Sequence, residues 1–272
     1  MDQTAIQAIR DLALSAYQQN EIDKLTLALV PSDHKIESLE KYQQFPRAFR
    51  GVFSTDVLEQ YIAYINANAT DQSAVYIDQV GMTALGIIDQ GDGANPEWGR
   101  HKAKLALNKT PGFAALLENN GRWLKQNDLI EFVEDWISNL TFTDPDGEML
   151  TPQLILNTLK KLTVKTVSET NQESQAYTQG LTKLEQLEVK AKGAELPEQF
   201  SFAVEPYVGF DTRVFVAKLQ GRSDGNQVLL RYRILQLEQE TTAIGLEFID
   251  KLKAGITIPG LPIYLGSMQY QA

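Results

Sequence analysis

An α+β fold is predicted by three features of this 272-residue sequence. Apolar residues at three-and-four spacing and runs of strand-like alternation are interleaved along the first half. From Phe200 onward, alternating segments joined by Ser223-Asp224-Gly225-Asn226 read as antiparallel strands, and one long helix follows them. Between the halves, Ser168 to Gln179 is polar and offers only Tyr177 as a strong apolar anchor. The expectation is a mixed sheet with packed helices over 1–165, a hairpin arm or linker over 166–199, and an antiparallel β-rich sub-domain over 200–272.

Taking the elements in order, Ile6, Ile9, Leu12, Ala13 and Ala16 predict an amphipathic helix over 4–19. Leu25 to Val30 reads as a strand stopped by Pro31, with Lys35 to Leu39 as a second short strand and Phe49 to Phe53 as a third. Ser54 and Thr55 suit the N-cap of a helix whose apolar face is Val57, Leu58, Tyr61, Ile62 and Ile65. Ser73 to Ile77 and Met82 to Ile88 form a hairpin around Gly81. The second run is apolar on both faces, which predicts a central, doubly covered strand. Asp89 to Pro96 is turn chemistry, and Lys102 to Leu105 alternates like a strand with one wet face.

Thr110-Pro111 starts a helix through Phe113, Leu116 and Leu117 that stops at Asn119-Asn120-Gly121. Asn127-Asp128 caps the next, with Leu129, Ile130, Val133, Trp136, Ile137 and Leu140 as one stripe. Thr151-Pro152 starts a third, turning Ile155, Leu159 and Leu162 inward. Beyond the arm, Phe200–Val204, Thr212–Leu219 and Val228–Leu237 read as strands. Glu240 to Lys253 reads as a helix, and Ile256 to Leu265 as Pro- and Gly-punctuated extended chain.

Lys and Arg number 25 against 35 Asp and Glu, a formal net charge of −10. That balance opposes sequence-blind binding to phosphate backbones by the whole surface, but leaves room for a local basic groove. There is no cysteine, which excludes disulfides, thiolate nucleophiles and Cys-ligated zinc. No phosphate-binding Gly-x-x-x-x-Gly-Lys loop, Gly-x-Ser-x-Gly elbow or His-Glu-x-x-His is present. No cofactor is called for, and a non-enzymatic role is expected. The chain opens without a basic segment and apolar run, and no apolar stretch reaches the roughly 18 residues of a membrane span. A soluble, cytoplasmic protein is expected.

Four sets of residues are candidates for function. Asp89, Asp92, Glu97 and His101 are oxygen and imidazole groups close enough in sequence to hold a divalent ion, although the same residues suit a polar turn. Glu131, Glu134 and Asp135 make an acidic helix face that suits a basic partner or plain solvent. Trp98 lies in a glycine-rich loop where an exposed aromatic can serve a partner, and Trp123 can stack a base or sugar. Arg213, Lys218, Arg222, Arg231 and Arg233 sit on or beside two paired strands. Of these, Arg231 and Arg233 project from one face, while Tyr232 points the other way.

Trp98 through His101, Thr110, Gly121, Gln126, Ile130 through Asp135 and Asp144-Pro145-Asp146-Gly147 resemble the YfdQ-like family of phage and prophage proteins. Phe202 through Glu205, Arg231-Tyr232-Arg233 and Pro262 through Gly266 extend the likeness over nearly the whole chain. The resemblance implies a phage or prophage gene expressed in bacterial cytoplasm, near replication and recombination functions; it assigns no catalytic residue. The expected function is therefore a macromolecule-binding phage protein, a homo-oligomer acting on phage recombination or replication machinery or antagonising a host defence complex. Its partner would be a host or phage protein. The alternatives are a single-stranded nucleic-acid-binding or annealing protein on the arginine-bearing strands, and a metal-dependent hydrolase on the Asp89 cluster.

Overall fold

Alternation over residues 51–106 closes into a mixed sheet. In a computed structural model of the chain, the described residues are 44–46, 48–144, 148–162, 197–224 and 227–269, together with Thr4, Gln7, Ala8, Arg10, Asp11 and two short strands at 190–191 and 194–195. Residues 50–272 form one compact unit, and residues 1–49 fall outside it. Thr4, Gln7, Ala8, Arg10 and Asp11 are helical, at positions of the first predicted helix. The strands expected at 25–30 and 35–39, and most of the 166–199 arm, lie outside the described residues.

The mixed sheet contains β1 (Gly51–Thr55), β2 (Ala74–Asp78), β3 (Thr83–Ile87), β4 (His101–Ala106) and, far along the chain, β13 (Ile263–Leu265). Their order is β1-β4-β3-β2-β13; both edge pairings are parallel and the inner ones antiparallel. The strand expected to be central, β3, lies in the middle. Helix α1 (Leu58–Asn68) buries Leu58, Tyr61 and Ile65 against this sheet. It approaches so closely that a Cβ on Gly86 would stand 2.4 Å from Ile65 Cδ1. Ser54 and Thr55 do not cap α1, as the sequence suggested, because pairing with Lys104 and Leu105 keeps them in β1. The N-cap position is Val57, and Thr55 Oγ1 accepts a hydrogen bond from its amide at 3.1 Å.

A second sheet is wholly antiparallel. It contains β5 (Leu124–Lys125), β6 (Leu140–Thr143), β7 (Met149–Leu150), β10 (Gln199–Val204), β11 (Arg213–Asp224) and β12 (Gln227–Ile234), in the order β5-β12-β11-β10-β6-β7. Among the described residues, strands β8 (Lys190–Ala191) and β9 (Ala194–Glu195) pair only with each other. Both large sheets draw strands from either side of residue 165: β6 pairs with β10, and β13 with β2.

Helices α2 (Pro111–Glu118), α3 (Gln126–Asp135), α4 (Pro152–Lys161) and α5 (Leu237–Gly255) supply the other layer. Phe132 stacks on Phe202, and Phe113 on Phe215, so α2 and α3 cover the same face of the sheet. Helix α3 stops at Asp135 instead of running to Leu140. Leu140 and Phe142 alternate inward on β6, paired with Phe202 and Phe200, and both are buried. At its start, Asp128 accepts from the Lys125 amide at 3.3 Å, so Asp128 is an interior residue of the first turn and not the cap. The long helix α5 begins at Leu237, earlier than expected, after a left-handed turn at Gln236 (φ 52°). It reaches α1 at its far end, where Asn66 Nδ2 donates to the Gly255 carbonyl at 2.8 Å. Among the described residues no helix is long and apolar enough to cross a membrane. The architecture is α+β.

Candidate nucleic-acid interface

Period-two alternation decides which cations share a surface. On β11 the odd positions Phe215 and Ala217 are buried, as are Val228, Leu230, Tyr232 and Ile234 on β12. The opposite face therefore carries Lys218, Gln220 and Arg222 from β11 and Leu229, Arg231 and Arg233 from β12. The register sets Lys218 across from Arg233, Gln220 across from Arg231, and Arg222 across from Leu229. Next to Leu229, on β5, stands Lys125.

Trp123 is set into this face from α2. Gly121 ends that helix with φ 75° and donates its amide to the Tyr232 carbonyl at 2.8 Å, while Asn120 Oδ1 accepts from the Ile234 amide at 2.8 Å. Leu124 and Lys125 then pair with Leu230 and Leu229, and the same register brings Trp123 beside Arg231. Arg222 Cζ and Arg231 Cζ lie 4.3 and 4.4 Å from the Trp123 ring centroid. Cation–π contacts at partly exposed sites contribute on the order of 0.5–1 kcal/mol each. Gln220 Oε1 accepts from Arg231 Nε at 3.1 Å and Nη2 at 2.6 Å, which fixes that guanidinium without neutralising it.

Among the described residues, no carboxylate pairs with Lys125, Arg222, Arg231 or Arg233. Lys218 does have a partner, Glu198 at 3.1 Å, in an exposed pair. Pairs of that kind contribute about 0–1 kcal/mol, so a phosphate can compete for the ammonium.

Arg213 belongs elsewhere. It occupies an odd position of β11 and turns towards α5, with Nη1 3.2 Å from Glu240 Oε2 and Nη2 2.9 Å from Glu247 Oε2. Glu247 also accepts from the Asp211 amide at 2.8 Å. Burial pushes the Glu247 carboxyl upward. The Asp211 amide, the Arg213 hydrogen bond and charge, and the Lys251 charge together outweigh it and hold the group below its ordinary value.

Two of the metal candidates, Asp89 and Asp92, hold the loop before β4. Asp89 accepts from the amides of Arg100 at 2.9 Å and His101 at 2.7 Å. Asp92 accepts from Asn95 at 2.6 Å and Ala94 at 2.8 Å, and those two amides lower its carboxyl pKa. Gly91, with φ 71°, is needed there because a Cβ would sit 2.2 Å from the Asn95 carbonyl oxygen. Glu97 is exposed. His101 is buried, with Nε2 2.9 Å from Tyr64 Oη; burial lowers its pKa against the pull of the Asp89 charge. No group of three His, Asp or Glu side chains able to hold a metal ion forms among the described residues. The same loop leaves Trp98 72% exposed, with Arg100 Cζ 4.6 Å from its ring centroid.

Glu131, Glu134 and Asp135 are exposed on α3, as a solvated helix face requires, and Lys160 of α4 holds Glu134 at 2.9 Å. Lys125 is the member of the basic face that the sequence alone did not place. A two-residue strand has no periodicity to detect, and its pairing with β12 spans about a hundred residues.

No curated protein matches the chain, and no solved structure does. The profile of DUF2303, a family described as uncharacterized conserved proteins, matches residues 2–268, and the chain belongs to that family.

Proposed function

We propose that this chain is a non-enzymatic, phage- or prophage-encoded protein that binds single-stranded nucleic acid through the outer face of its antiparallel sheet, in support of recombination or replication. The observation that carries the reading is the grouping of Lys125, Arg222, Arg231 and Arg233 around Trp123, without carboxylate partners among the described residues. Guanidinium and ammonium groups meet phosphates, and an aromatic at their centre offers sequence-tolerant stacking to an unpaired base. The phage setting rests on the resemblance of Trp98 through His101 and the α3 segment to YfdQ-like proteins.

The test is a mobility shift with a labelled single-stranded oligonucleotide at low salt, using the full chain. Binding is expected, and Arg231→Ala combined with Arg233→Ala is expected to weaken it at least tenfold while leaving the melting temperature nearly unchanged. Absence of any shift with the parent protein at low salt rejects the proposal.

A further inference from the structure

Building on that reading, we infer that the site accommodates a segment of about five nucleotides, running diagonally from Lys125 to Lys218. The register sets the dimensions. Lys218 and Arg222 are four residues apart on β11, about 13 Å at the usual strand rise. Lys125 lies two strands over from Arg222 through Leu229, about 9–10 Å at the usual strand spacing. The diagonal from Lys125 to Lys218 is therefore about 16 Å, and a stacked strand rising about 3.4 Å per nucleotide covers it with about five.

The chemistry divides along that diagonal. Lys125 with Arg222 forms one cationic end and Lys218 with Arg233 the other, with Trp123 and Arg231 between them. Beyond the Lys218 end the row carries no further cation, since Gln199 and Thr143 continue it across β10 and β6 and the neighbouring Glu198 carboxylate holds Lys218 at 3.1 Å. Phosphates past the fifth nucleotide meet no further cation on this row. The middle of the site is where a base meets the indole. To stack there it displaces a guanidinium from the ring, so Arg222 or Arg231 is released towards the phosphates as the base arrives.

The experiment is a competition series on the full chain. Unlabelled oligothymidylates of two, four, six, eight and twelve nucleotides displace a fluorescein-labelled twelve-mer at low salt, followed by anisotropy. Affinity per available register is expected to rise steeply from two to four and to level off by six. Lys218→Gln combined with Arg233→Gln removes one end and is expected to move the plateau to shorter oligonucleotides. A rise in affinity per register that continues through eight and twelve overturns the inference but leaves nucleic-acid binding in place. So does a plateau that the double substitution fails to move. Failure of the labelled twelve-mer to bind removes the proposed function itself. The parent length series decides the matter even if the variant folds poorly.

Discussion

Arg213 and Arg231 carry the same guanidinium and lie on neighbouring strands, yet one is part of the scaffold and the other is on offer. Arg213 meets two glutamates of α5, whereas Arg231 meets an amide oxygen and an indole. The difference is parity along the strand, which turns one side chain under the helix layer and the other away from it. For Glu247, the main partner of Arg213, the folded-state pKa lies below the ordinary carboxylate value. Its pairing therefore stabilises the fold above that ordinary value, and the contribution is lost as pH falls through the lowered one. Glu247→Gln is expected to melt below the parent at pH 7, with the gap closing on acidification towards pH 3. A gap of constant size across that range would show that the charge of Glu247 is not what α5 uses.

At the scale of elements, the fold rests on close approach of helices to sheets. Helix α1 lies against β3 because Gly86 leaves room for Ile65 and Tyr61, both fully buried. Gly86→Ala forces a methyl group into that contact, and overpacking of this kind costs about 1–3 kcal/mol. For a unit of this size the melting temperature is expected to fall by about 2–4 °C for each kcal/mol lost. Calorimetry on the purified variant checks this, and an unchanged melting temperature would mean that α1 shifts outward at no cost. The basic face lies on the far side of the other sheet from the helix layer. Gly86→Ala is thus expected to leave oligonucleotide affinity unaltered where the variant is folded.

Across the whole molecule, a chain of net charge −10 presents Arg222, Arg231 and Arg233, which have no carboxylate partner among the described residues, on one sheet face. Under the proposed function, the negative remainder repels phosphates from other orientations, and binding is expected at that face. With four or five phosphate contacts, the logarithm of the binding constant is expected to fall against the logarithm of salt with a slope of about −3 for a single strand. Titrations between 50 and 300 mM salt measure it; a slope near zero would mean that the contacts are not ionic. Much of this architecture was legible in the sequence. The strand alternation of 200–204 and 228–234, the Thr110-Pro111 helix start and the α1 stripe are local patterns, set by which residues three, four or two apart are apolar. So was the shared face of Arg231 and Arg233. What was not legible depended on distant partners. Leu140 joins a strand because β10 is there to pair with it, Ser54 and Thr55 extend β1 because β4 lies alongside, and Lys125 joins the basic face because β12 captures two residues of loop. The paired Arg213 and the loop-bound Asp89 and Asp92 follow the same rule. Side-chain type and spacing determined the elements and their apolar faces, since those follow from backbone geometry within a few residues. Tertiary structure alone decided which charges were neutralised and which have no carboxylate partner among the described residues, because that depends on groups brought within a few ångströms by folding.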